Sequence, residues 1–97
     1  MSKQRVLIIG DSPFIHTGFG YLTREIGKIL NDNGHTVAHI ALWDKRKDST
    51  NITLNGITIP WKVYSCKTDD FGLFARTQFT PILSEFRPTL ILIITDI

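Results

Sequence analysis

Residues Ile8 to Gly20 read IIGDSPFIHTGFG, the end of an apolar run followed by glycine, small polar groups, a histidine and two more glycines. Val6 to Ile9 is continuously apolar and stops at Gly10, the pattern of a strand buried on both faces, which belongs to a parallel sheet. Downstream, Leu22, Ile26, Ile29 and Leu30 recur at helical spacing between Tyr21 and Asn33, and Gly34 follows as a stop signal. Thr36 to Trp43 (TVAHIALW) then supplies a second apolar strand. These first 43 residues predict a β-α-β unit with a right-handed crossover, its helix laid on the sheet by the stripe just named.

The rest of the chain extends that unit. NITLNGITIPWKVYS alternates around Asn55-Gly56, the pair a type I′ turn favours because both central residues need positive φ. This predicts a hairpin with an edge strand, since Pro60 cannot donate to a ladder. Asp69-Asp70 can cap a short helix through Gln78, and Thr80-Pro81 reads as an N-cap with proline at the first helical position of a helix to Phe86. Two short helices and one kinked helix fit equally. Thr89 to Thr95 (TLILIIT) is the most apolar segment and is expected as a further parallel, central strand. Repeats, low-complexity tracts and an internal linker are absent, so residues 1–97 read as one α/β domain: a Rossmann-like, open, mainly parallel sheet with flanking helices and a hairpin insertion.

Composition narrows the class of function. With 42% hydrophobic and 21% charged residues the chain is that of an ordinary globular protein, and its net charge of +2 comes from interspersed signs. The one dense basic run, Lys45-Arg46-Lys47, is closed by Asp44 and Asp48, which fits a solvated loop better than a nucleic-acid footprint. The single Cys66 forms no internal disulfide and offers no metal pair, which suits a reducing compartment. The N-terminal apolar run is far too short for a signal peptide or membrane span. A cytoplasmic protein without metal or bound cofactor is expected.

Open parallel sheets bind ligands beyond the carboxyl ends of their strands, where the opening stretch and Asp96 both fall. A dinucleotide fingerprint would need Gly-x-Gly-x-x-Gly directly after the strand, but Gly18-x-Gly20 comes late and Thr23 stands in the third position. A P-loop would need Gly-Lys-Ser/Thr, whereas Tyr21 and Leu22 follow Gly20. Gly10-Asp11-Ser12 resembles the first block of the GDSL-type hydrolases, whose serine is the nucleophile. Such a serine needs a histidine base within reach. The Asp32-x-x-His35 spacing is right, but it falls at the far end of the first helix, so Ser12-Pro13 reads more simply as a turn. Thr17-Gly18-Phe19-Gly20 has another use: backbone N–H groups at a helix start can face an anion that glycine lets approach closely. Close helix–sheet packing explains the same glycines, and local sequence leaves the two open.

VLIIGDSP…HTGFGYLTREIGKILNDNGHTVAHIALW, NGITIP and EFRPTLILIITD together resemble, in order, the start of retaining GT-B glycosyltransferases of the GT4 type. There a strand and a long loop ending in Thr-Gly-Phe-Gly or Gly-Gly precede a helix, Gly-His-x-Val opens the second strand, an Asn-Gly-Val hairpin follows, and Lys-Pro-Asp-Val-Val leads a further strand. Here Thr89 replaces the usual Asp after Pro88. The resemblance implies transfer of a sugar from a nucleotide-diphosphate donor to an acceptor it does not identify. It assigns Thr17, Gly18 and Gly20 to the donor-phosphate loop, sets Asp11 and His16 beside the cleft, and puts Asp96 at the acceptor side. That family carries its Glu-x7-Glu pattern and nucleotide-sugar contacts in a C-terminal domain not found in these 97 residues. The chain by itself is therefore expected to be inactive. A non-catalytic α/β binding or assembly module is the alternative reading. Self-association is also expected, because the last strand is apolar on both faces.

Overall fold

The computed structural model describes residues 3–42, 47–66 and 75–94. In chain order these form β1 (Arg5–Asp11), α1 (Gly18–Asp32), β2 (Thr36–Leu42), β3 (Ser49–Leu54), β4 (Ile57–Ser65), a π-helical turn (Ala75–Phe79), α2 (Thr80–Phe86) and β5 (Leu90–Ile94). One five-stranded sheet runs in the order β3-β4-β2-β1-β5. β1 pairs parallel with both β2 and β5, and β2 pairs parallel with β4; only β3 is antiparallel. The fold is the mainly parallel α/β sheet that the apolar runs predict. Trp43 and Asp69-Asp70 lie outside the described residues.

Strand alternation divides the core into two layers. Val6, Ile8, Val37, Ala41, Ile59, Trp61 and Val63 form one, against which Ile26 and Leu30 of α1 pack. Leu7, Ala38, Ile40, Leu42 and Tyr64 form the other, closed by Ile82 and Phe86 of α2. Burying apolar side chains on both faces stabilises such a sheet by about 1.5–3 kcal/mol for each large residue.

The buried stripe of α1 differs from the expected one. Leu22 and Ile29 are 42% and 61% exposed. Gly20, Thr23 and Gly27 are the residues of α1 that are buried. The reason lies beneath the helix, where Trp61 and His39 fill the space a side chain would need. A Cβ on Gly27 would lie 2.5 Å from Trp61 Cζ2 and 3.1 Å from His39 Cε1. Two bulky rings from the sheet thus set small residues on the facing side of α1.

The hairpin also departs from expectation. Asn55 and Gly56 have φ of 55° and 75°, as a type I′ turn requires. The edge strand, however, is β3, and β4 lies inside the sheet. Pro60 is tolerated there because it falls where pairing shifts, Thr50 opposing Lys62 and Ile52 opposing Ile59, with Asn51 at φ 54°. This bulge bends the hairpin. Ser65 aligns with Ala41, and Ala41 with Gly10 at the carboxyl end of β1. A straight β4 would carry Asn55 about 30 Å toward the amino edge, at about 3.3 Å per residue. Instead the tip returns over the α1 side and meets the β1–α1 loop at the carboxyl edge, with Asn55 bonded to His16 and Phe14.

Two further corrections concern the C-terminal part. Thr80 is not a cap: the π-helical turn runs directly into α2, the residue before Thr80 has helical dihedrals, and no side chain caps the helix. Among the described residues the helical segment runs without a break from Ala75 to Phe86 and ends at Arg87 in the left-handed region with φ 55°; whether a separate helix precedes it falls on residues outside the described ones. β5 is parallel as expected but, among the described strands, lies at the sheet's margin and not at its centre.

Candidate functional site

β1 is the point where the chain's crossovers diverge. The β1-α1-β2 connection runs one way along the sheet and α2 leads to β5 on the other side of β1, with the two helices on opposite faces. The gap between β1 and β5 is therefore the topological switch point, where doubly wound sheets open a crevice at their carboxyl edge. Residues 12–17 leave β1 there.

This loop is held from within and from outside. Ser12 is 2% exposed and its Oγ accepts the Phe14 N–H at 3.2 Å. Phe14, buried in the α1-side layer, anchors the loop on the core. Arg24 Nη1 donates to the carbonyls of Pro13 at 3.1 Å and Ile15 at 3.4 Å, while Asn55 Nδ2 donates to that of Phe14 at 3.1 Å. Three successive loop carbonyls are thus occupied by α1 and the hairpin tip. Thr17 is the N-cap of α1, its Oγ1 accepting the Gly20 N–H at 3.1 Å. The helix begins at Gly18, three residues before the apolar periodicity, because this hydroxyl satisfies a first-turn donor.

The geometry separates the two glycines. A Cβ on Gly20 would lie 2.5 Å from the Ile15 carbonyl oxygen and 3.1 Å from that of Ser12, so Gly20 allows the loop to close on the helix. Its N–H is already taken by Thr17. Around Gly18 nothing lies within 4 Å of the Cβ position. Among the described residues, the N–H groups of Gly18 and Phe19 have no hydrogen-bond partner. The open backbone of this helix start is thus Gly18-Phe19, with Gly20 serving packing.

The other expected site residues are dispersed. Asp11 ends β1, half-buried, and its carbonyl lies 3.2 Å from Thr23 Oγ1. His16 is exposed, with its Nε2 2.9 Å from the Asn55 carbonyl. Asp96 lies outside the described residues. Ser12 Oγ is not joined to a histidine among the described residues. His35 sits at the amino edge, its Nδ1 accepting the Gln4 N–H at 2.9 Å, and Asp32 pairs with Lys28 at 3.3 Å. The Asp-x-x-His spacing therefore builds no base for Ser12.

Sequence reasoning missed the groups that hold this loop. Asn55 read only as a turn former, and Arg24 was not singled out. It also missed His39, fully buried beneath α1, whose Nδ1 accepts the Trp61 Nε1–H at 2.7 Å with the rings stacked 5.8 Å apart. Burial drives the His39 pKa from 6.5 to about 3, against a smaller opposing influence of the Thr23 backbone. The imidazole is neutral and, with Nδ1 accepting from Trp61, carries its proton on Nε2. On the other face, burial and then the Glu85 carboxylate push Tyr64 up to about 12, so its phenol stays protonated.

Two clefts among the described residues lie apart from the loop, neither of them lined by residues 12–17. One, of about 350 Å³, lies between α1 and the returning hairpin and is lined by Arg24, Lys28, Thr58, Pro60 and Trp61 among others. A shallower one of about 200 Å³, beside α2, includes Tyr64, Gln78 and Glu85. Among the described residues there is no group of three or more His, Cys, Asp or Glu placed to hold a metal ion, and no helix long and apolar enough to cross a membrane. Comparison with protein families, curated proteins and solved structures finds no match to the chain.

Proposed function

We propose that this chain is the N-terminal, acceptor-side portion of a GT-B glycosyltransferase of the GT4 type, whose β1–α1 loop receives the diphosphate of a nucleotide-sugar donor. The observation that carries this reading is the pair of unpartnered N–H groups on Gly18 and Phe19, at the start of α1 and beside the switch point. A helix start concentrates partial positive charge and free donors, which suit an anion. Thr17 orients the first turn, Gly20 lets the loop close on it, and Gly18 leaves room for an oxygen to approach. Asp11 and His16 border the loop, and the resemblance assigns Asp96 to the acceptor side. Transfer with retention of configuration, an unidentified acceptor and a cytoplasmic setting complete the proposal. Nucleotide-sugar contacts belong to a second domain in that family, so the 97 residues bind without turning over.

A non-catalytic binding module is the second reading. It is favoured by the hydrogen bond that ties His16, the one imidazole of the loop, to the hairpin tip rather than to a reacting group.

Titration of the ¹⁵N-labelled chain with pyrophosphate, uridine diphosphate and uridine tests the phosphate site. Shifts of the Gly18 and Phe19 amides with both diphosphates and none with uridine are expected. Unmoved amides at millimolar diphosphate would remove the basis of the assignment. Sugar transfer by a longer chain containing residues 1–97, weakened by Gly18→Val, then separates enzyme from module.

A further inference from the structure

The sequence holds two Asn-Gly pairs, Asn33-Gly34 and Asn55-Gly56. In such a pair the following backbone nitrogen can attack the side-chain amide, because glycine carries no Cβ to hinder the approach. The structure secures the two pairs in different ways.

At Asn33 the restraint is local. The Gly34 N–H donates to the Asn31 carbonyl at 3.0 Å and Asn33 Nδ2 to that of Ile29 at 2.7 Å, so the last turn of α1 holds both nucleophile and leaving amide. At Asn55 the restraint is tertiary. Both residues of the turn are exposed, nothing lies within 4 Å of a Cβ position on Gly56, and the Gly56 N–H has no hydrogen-bond partner among the described residues. A type I′ turn sets ψ of its first central residue near about 30°, which keeps the Gly56 nitrogen on the far side of the Cα–C bond from the side chain. Ring closure must turn that ψ and swing the side chain. The carbonyl that accepts His16 Nε2 at 2.9 Å turns with ψ, and the amide that donates to Phe14 at 3.1 Å moves with the side chain. These two bonds therefore restrain the two motions that the reaction needs.

We infer that Asn55 is a deamidation site held unreactive by its bonds to the β1–α1 loop, and that its conversion releases the hairpin tip from that loop. The inference is independent of the diphosphate reading. When the tip undocks, the Gly56 nitrogen gives its proton to water and attacks Asn55 Cγ. The bond from Cγ to Nδ2 breaks, and Nδ2 takes up a proton and leaves as ammonia. Water then opens the cyclic imide. Opening at Cγ gives aspartate; opening at the main-chain carbonyl gives isoaspartate, with the chain continued through Cβ. Neither product restores both bonds. Aspartate's carboxylate has no proton to donate to the Phe14 carbonyl, and in isoaspartate the carbonyl that His16 held has itself become a carboxylate.

Mass spectrometry of peptides from the 97-residue chain, aged in mildly alkaline buffer, tests it through a gain of about 1 Da, the replacement of an amide by an acid. A synthetic peptide of residues 51–60 is the unrestrained reference. A gated reaction follows the population of the open form, so Asn55 should react at least about tenfold more slowly in the folded chain than in the peptide. His16→Ala removes one of the two bonds and should speed the reaction about threefold to tenfold, the effect of one hydrogen bond on an opening equilibrium. Asn33 should react equally in both chains. Asn55→Asp supplies one product directly, and the amides of residues 14–18 should exchange hydrogen faster in it than in the parent chain. Asn55 reacting as fast in the folded chain as in the peptide overturns the proposal. So does a rate that is unchanged, or product that is absent, in His16→Ala, or equal acceleration at Asn33, which marks general unfolding. Loop amides exchanging at the parent rate in Asn55→Asp overturn the release of the tip.

Discussion

The imidazole Nε2 of His16 donates to the backbone carbonyl of Asn55 at 2.9 Å, across 39 residues of sequence. Asn55 answers through its side chain, with Nδ2 donating to the Phe14 carbonyl at 3.1 Å. This two-bond clamp joins the tip of a bent hairpin to the loop that opens α1. It turns a turn-forming residue into a support for the candidate site.

The clamp predicts an order of stabilities. Asn55→Gly keeps the positive φ and deletes the donor, and should cost about 0.5–1.5 kcal/mol, the net worth of one hydrogen bond. Asn55→Ala loses the same bond and also holds a Cβ in the left-handed region, adding about 1 kcal/mol. Urea denaturation checks the order, and hydrogen exchange should show faster exchange at the loop amides in both variants.

The glycines should respond oppositely. Gly20→Ala pushes a methyl group into the Ile15 carbonyl, for an expected loss of about 1–3 kcal/mol. Gly18→Ala meets open space and should leave stability unchanged or raise it by up to about 1 kcal/mol through the unfolded state. Thermal midpoints of the two variants decide this. A diphosphate titration of the Gly18→Val chain then reads ligand approach without a folding defect.

His39 makes stability depend on pH. It is neutral in the folded chain down to about pH 3, whereas the unfolded chain takes up a proton below about 6.5. The unfolded state binds more protons in that window, so its contribution is fully present above 6.5 and is lost as pH falls. The expected slope is about 1.4 kcal/mol per pH unit, levelling off near the folded pKa. Denaturation between pH 7 and 4 should show this slope, and His39→Gln should flatten it.

Ser12 is expected to be structural. With Oγ buried and occupied by the Phe14 N–H, Ser12→Ala should lower stability by about 0.5–1.5 kcal/mol. The 97-residue chain should hydrolyse no p-nitrophenyl ester above background, with or without the substitution. Esterase activity abolished by Ser12→Ala would displace the glycosyltransferase reading.

Local pattern by itself determined the element types of this protein. Continuous apolar runs made β1, β2 and β5 strands of a parallel sheet, Asn55-Gly56 made the hairpin turn, and Gly34 closed α1 with φ 85°. These outcomes depend on side-chain alternation and on dihedral preferences, which are properties of neighbouring residues. Only the tertiary structure decided which face of α1 is buried, because Trp61 and His39 fill the space beneath Gly27. It also decided which strands lie at the margins and where the hairpin tip ends, since the bulge of β4 opposite Asn51 redirects two strands at once. The site divides in the same way. Thr17 to Gly20 as the stretch that opens a helix follows from local chemistry, whereas the separation of Gly18 from Gly20, and the reach of Arg24 and Asn55 to the loop, rest on distances that no sequence spacing encodes.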